Sequence, residues 1–196
     1  MKSRWITVGL CLVAAVVLIV RLLPHGRGAR QASSSVPRQG HAAKAYMGLR
    51  SMVLDGTRAN FGLGPGASPT EPFAVVMDWG DAQGATTVIA VADGSASVYH
   101  SNGTGSIGGG QTHEAIRNAA LKAVELARAA QASMQRSTDF PVAGRGQVSF
   151  YVVTDAGVFG ATAAQENLSG NRSPFSALGA AAQDIVAEYR RVEQKN

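Results

Sequence analysis

Gly103-Thr104-Gly105-Ser106-Ile107-Gly108 spells G-x-G-x-x-G between a strand-like and a helix-like segment. In dinucleotide-binding folds this spacing makes a tight turn and lets backbone amides reach a pyrophosphate. That chemistry also needs an acidic residue about 20 positions on, at the end of the next strand. Glu125 stands at that distance but in mid-helix, and the next strand-like run starts near Gln147, so the dinucleotide reading fails. A narrower chemistry survives. Amides of Gly103, Gly105, Gly108, Gly109 and Gly110, with Ser106, His113 and Arg117 close by, could cradle a small anion or a nucleotide phosphate. The competing reading is a tightly bent connector that uses glycine for steric reasons.

Other chemistry is sparser. His100 and His113 are the histidines of the folded part, since His25 and His41 fall in and at the edge of a linker, and two histidines without a neighbouring carboxylate motif imply no metal. The G-x-S-x-G elbow of serine hydrolases fails at Ser106, where Thr104 holds the first position, and S-x-x-K is absent. Asp78 and Asp81 flank Trp79-Gly80 and read as turn residues more simply than as an acid pair. The one cysteine, Cys11, lies in the apolar N-terminal run and supplies neither a nucleophile nor an internal disulfide. No catalytic residue and no cofactor is assigned, and the balance leans away from an enzyme.

Charge is distributed unevenly. Residues 1–50 hold eight Lys or Arg and no Asp or Glu, while the remaining 146 hold ten basic and thirteen acidic residues, a net −3. A slightly acidic domain has no phosphate-tracking footprint, so the pI near 9.8 does not imply nucleic acid.

Ile6 to Val20 is fifteen residues without a charge, flanked by Trp5 and Arg21. With those flanks the run approaches the ~20 residues that cross a hydrocarbon core, and a single-pass signal anchor over 5–23 is expected behind a short basic tail, 1–4. A cleaved secretory signal is the alternative, disfavoured because no small-x-small site follows Pro24. Arginines lie on both sides of the span. The short basic tail favours placing the domain on the non-cytoplasmic side, and Arg21, Arg27, Arg30 and Arg38 argue the reverse. Residues 24–41, rich in Gly, Ser, Pro and Arg, read as a flexible linker to a domain over 42–196.

The elements that must position the glycine segment follow from periodicity. Ala42–Leu54 predicts a helix whose apolar stripe through Ala43, Tyr46, Met47, Val53 and Leu54 is broken only at Arg50. Strands are expected over 73–79, 86–92 and 95–101, the last two joined at Asp93-Gly94, a strong hairpin signal. Thr112 to Gln135 predicts a helix with Ile116, Ala120, Ala123, Val124 and Ala127 inward. A second hairpin joins 147–154 to 158–164, and Ser173 and Pro174 cap and start a last helix. The expected fold is α+β, a five-stranded, mostly antiparallel sheet with about three helices in the order α-β-β-β-α-β-β-α, plus the transmembrane helix.

The Ala92-Asp93-Gly94 hairpin, the Ser97-x-Tyr99-x-Ser101 strand end and the glycine cluster leading into a helix join two later features, the run Phe150-Tyr151-Val152-Val153-Thr154 and Ser173-Pro174-Phe175. In these the chain resembles an uncharacterised group of small bacterial domains, over about two thirds of its length. The resemblance implies no activity. In element order alone the chain is similar to profilin-like and roadblock-type modules, which serve as binding platforms, although its strands group three then two where roadblock has two then three. Together these readings predict a membrane-tethered, non-catalytic module that binds another protein or a small ligand. The alternative is a sensor taking a small anionic ligand or nucleotide in the Gly103–Gly110 turn, and an unrecognised hydrolase comes last.

Overall fold

The computed structural model describes residues 38–195. These form an α+β fold around one antiparallel sheet of seven strands, β1 (Ala74–Gly80), β2 (Ala85–Val91), β3 (Ala96–His100), β4 (Gly105–Ile107), β5 (Gln135–Ser137), β6 (Gln147–Thr154) and β7 (Gly157–Ala164). Their order across the sheet is β4-β3-β2-β1-β6-β7-β5. Three α-helices accompany them among the described residues, α1 (Arg38–Leu54), α2 (Glu114–Ala130) and α3 (Ser176–Glu193).

Strand parity sorts the side chains into two cores. On one face Val75, Met77, Val88, Val98, Phe150 and Val152 pack under α2 and α3. On the other, Val76, Ile89, Val91, Tyr151 and Val153 pack under α1 and the coil leading into β1. Because it is covered on both faces, β1 is buried at all seven positions and shows no polar alternation. α2 turns Ile116, Ala120, Ala123 and Ala127 inward, and the three alanines let its backbone approach α3 and the sheet closely. Large side chains such as Ile116, Leu178 and Ile185, buried on these helices, each contribute about 1.5–3 kcal/mol.

One row of residues crosses the second face differently. Successive register partners Tyr99, Thr87, Asp78, Ser149 and Thr162 lie side by side on β3, β2, β1, β6 and β7. Every member is polar, beside a core of aliphatic and aromatic groups on the same face. Past Tyr99 the row ends at Gly105 on β4.

The expectations need several corrections. The sheet has seven strands, not five, because β4 and β5 are three-residue edge strands too short to show alternation. α1 begins at Arg38, inside the stretch expected to be linker. α2 stops at Ala130, where a 3-10 turn over Gln131–Ser133 leads into β5. α3 starts at Ser176, after Ser173 has accepted the Phe175 amide in a local turn. Asp78 is an interior strand residue and not part of a turn, whereas Asp81 does close one, accepting the Gln83 amide at 2.6 Å.

The membrane reading is also corrected. Among the described residues no helix is long and apolar enough to cross a membrane. α1 carries Arg38, His41, Lys44 and Arg50 within seventeen residues, and α2 and α3 place charged residues along their outer faces. The span expected over residues 5–23 lies outside the described residues. The single-pass, non-cytoplasmic placement has no support in the structure and is set aside.

Candidate functional site

The glycine segment is built into the fold rather than looped out from it. Gly103 closes the turn between β3 and β4, its amide donating to the His100 carbonyl at 2.9 Å. Gly105 opens β4 opposite Tyr99 with φ +151°, and a Cβ there would lie 2.5 Å from the Tyr99 Cα. Gly108 takes a left-handed conformation, φ +73°, and donates to the Ala96 carbonyl at 2.9 Å. Gly109 and Gly110 are buried. The Gly109 amide donates to the Tyr189 hydroxyl at 2.8 Å, and that hydroxyl donates to the Ala96 carbonyl at 2.6 Å. Gly110 packs so tightly on the Asp93-Gly94 turn that a Cβ would overlap the Gly94 carbonyl oxygen.

The amides of Gly103, Gly108 and Gly109, which an anion cradle would need, therefore already have partners. Those of Gln111, Thr112 and His113 donate to the carbonyls of Gly108, Gly109 and Gly109. His113 is the residue before the first turn of α2 and makes no side-chain cap bond. Arg117, exposed one turn on, lays its Cγ over Gly94. Ser106 turns toward α3, 3.4 Å from the Glu193 carboxylate, an acidic neighbour that disfavours an anion. The structure thus places all eight residues around the β3–β4 hairpin and its exit into α2, with the amides of Gly103, Gly108 and Gly109 bonded within the fold.

A second constellation lies under α1. Arg50 and Asp78 are both buried, at 2% and 0% exposure, and the guanidinium grips one carboxylate oxygen through Nε at 2.9 Å and Nη2 at 2.6 Å. The other oxygen accepts from the Thr87 hydroxyl at 2.6 Å, and Tyr46 in turn donates to Thr87 at 2.7 Å. Nη1 of Arg50 donates to the Phe140 carbonyl at 2.7 Å, and the Tyr151 hydroxyl to that of Pro141 at 2.6 Å. The guanidinium carbon stands 5.1 Å from the Tyr151 ring centre. Burial alone would lower the Arg50 pKa, but the hydrogen bonds and charge of Asp78 outweigh it and hold the side chain protonated. Burial pushes the Tyr46, Tyr99 and Tyr151 hydroxyls up. Tyr99 alone of the buried side chains has a hydroxyl with no hydrogen-bond partner among the described residues.

This arrangement is poorly suited to proton transfer. Both Asp78 oxygens are engaged, its counter-ion is permanent, and α1 covers it from solvent. Among the described residues no three His, Cys, Asp or Glu side chains come together to hold a metal. The Nδ1 of His100 is bonded to the Thr86 hydroxyl at 2.8 Å. Sequence reasoning passed over the Arg50–Asp78 pair. The available signal was an arginine interrupting the buried stripe of a helix, together with an aspartate inside an apolar strand, two charges that solvate only by meeting each other.

Two depressions flank these elements. A narrow groove of about 80 Å³ runs between α1 and the β3–β4 hairpin, lined by Ala45, Leu49, Tyr99, Gly105 and Ile107 among others. A wider cleft of about 520 Å³ lies where the end of α2 meets β7 and the coil before β1. In comparisons with protein-family models, curated proteins and solved structures, nothing matches this chain.

Proposed function

We propose that this chain is a non-catalytic binding module that engages a protein partner along the margin where α1 meets the β3–β4 hairpin. The carrying observation is where exposed apolar side chains collect. Met47, Met52 and Ile107 are on α1 and β4, and of the exposed large apolar side chains among the described residues only Leu121 lies elsewhere. Of these Ile107 lines the groove, together with Leu49 and Ala45, and exposed apolar surface at a groove favours contact with another protein. β4 also ends the sheet, so its outer backbone edge faces away from any strand. The ionisable groups give secondary support, since the buried pair is spent on holding α1 to the sheet.

A photo-crosslinking amino acid at Ile107, compared with one at Leu121, tests the reading in the full chain in its own cells. The expected result is one discrete adduct from position 107 that is lost when Leu49→Asp is added, and none from position 121. Equal adducts at both positions, no adduct at 107, or an adduct indifferent to Leu49→Asp would overturn it.

A further inference from the structure

We propose that the 520 Å³ cleft at the end of α2 is a binding site for a small organic anion with a flat apolar body, an arenecarboxylate in the simplest case. The volume falls in the range of small-molecule sites, about 300–1,000 Å³. Its apolar wall is Phe159, Pro72 and Ala132, which suits a ring and offers nothing to a bare inorganic ion.

The charged side chains that line the cleft are Arg128 and Glu71, which pair with each other. Arg128 is 68% exposed and commits a single Nη2 to Glu71 at 2.9 Å, so its other N–H groups are open to a second carboxylate. Glu71 itself is occupied, accepting the Ala67 amide at 2.5 Å as well and lying 3.7 Å from Arg58. Arg58 pairs also with Asp155 at 2.7 Å. Arg136 stands 6.0 Å over the Phe159 ring and has no carboxylate partner among the described residues. Counting these neighbours behind the lining, three guanidinium groups stand near two carboxylates, while Arg128 and Glu71 alone line the cleft. Arg128, in the last turn of α2, offsets the negative end of that helix, and Gln131 caps it by donating to the Ala127 carbonyl. In the bound state the ring lies on Phe159 and the carboxylate on Arg128, with the Gln131 amide within the same wall.

Titration of the full chain with sodium benzoate, followed by amide NMR shifts and calorimetry, tests the site. The expected result is saturable binding with shifts at Ala132 and Phe159, an affinity about tenfold weaker in Arg128→Gln, and weaker binding of benzamide and of inorganic phosphate. Arg128 is exposed, so its substitution leaves the fold intact, which a matching melting temperature checks. The proposal is overturned by absence of saturation, by shifts confined to other regions, by equal affinity for benzamide or phosphate, or by unchanged affinity in Arg128→Gln. None of these outcomes touches the α1–β4 margin.

Discussion

Asp78 is held by two donors on α1 and one on β2, and it is the carboxylate paired with the buried Arg50 guanidinium. Asp78→Ala leaves a buried guanidinium without its counter-charge, which typically costs about 3–5 kcal/mol. A urea unfolding series should show that loss, and the double variant Arg50→Met, Asp78→Leu should recover most of it by replacing both charges with apolar volume. A double variant as unstable as the single one would mean the pair contributes more than mutual neutralisation. The tyrosines predict a pH response. Burial pushes the Tyr189 hydroxyl to about 12 and raises Tyr46, Tyr99 and Tyr151 above the ordinary value of about 10. The unfolded chain then releases these protons first, so the stability they support is complete below pH ~10 and falls as pH rises toward ~12. Tyrosinate absorbance should appear together with loss of tertiary structure in that window, and titration of all four tyrosines in a chain that stays folded would contradict it.

At the scale of elements, the glycine segment makes a graded prediction. Gly110→Ala forces a Cβ onto the Gly94 carbonyl, so the exit from β4 must separate from the Asp93-Gly94 turn. Gly108→Ala meets no atom within 4 Å and bears only the cost of a left-handed backbone, about 1–2 kcal/mol. Thermal unfolding should therefore show Gly110→Ala clearly less stable than Gly108→Ala, and equal effects would argue that the segment relaxes freely. Both hairpins and the stripe of α2 were legible in the sequence because their signals are local, a D-G turn and a 3.6-residue repeat. β4 and β5 were not, since three residues carry no period and their pairing is set by partners on β3 and β7. The function of the glycines was half legible. The sequence showed that side chains were excluded there, but not that the excluded space belongs to Tyr99, Tyr189 and Gly94.

Over the whole molecule, protection should decline from the middle of the sheet outward. β1 and β6, covered on both faces and paired on both sides, should exchange their amides last, and β4 and β5 first. Hydrogen exchange on the chain alone checks this, and a β4 protected as strongly as β1 would reveal a cover over that edge. The polar row from Tyr99 to Thr162 bears on how this sheet finds its alignment. A slip of one residue between neighbouring strands moves every side chain to the opposite face. For β1 such a slip would push Asp78 beneath α2 and α3, among Val88, Phe150 and Ile116, where no cation waits for it. Arg50 would be left facing Met77 or Trp79. Alternative alignments of a strand as uniformly apolar as β1 would otherwise differ little in energy, so a single aspartate in its middle makes the native one the only position in which the charge can be neutralised.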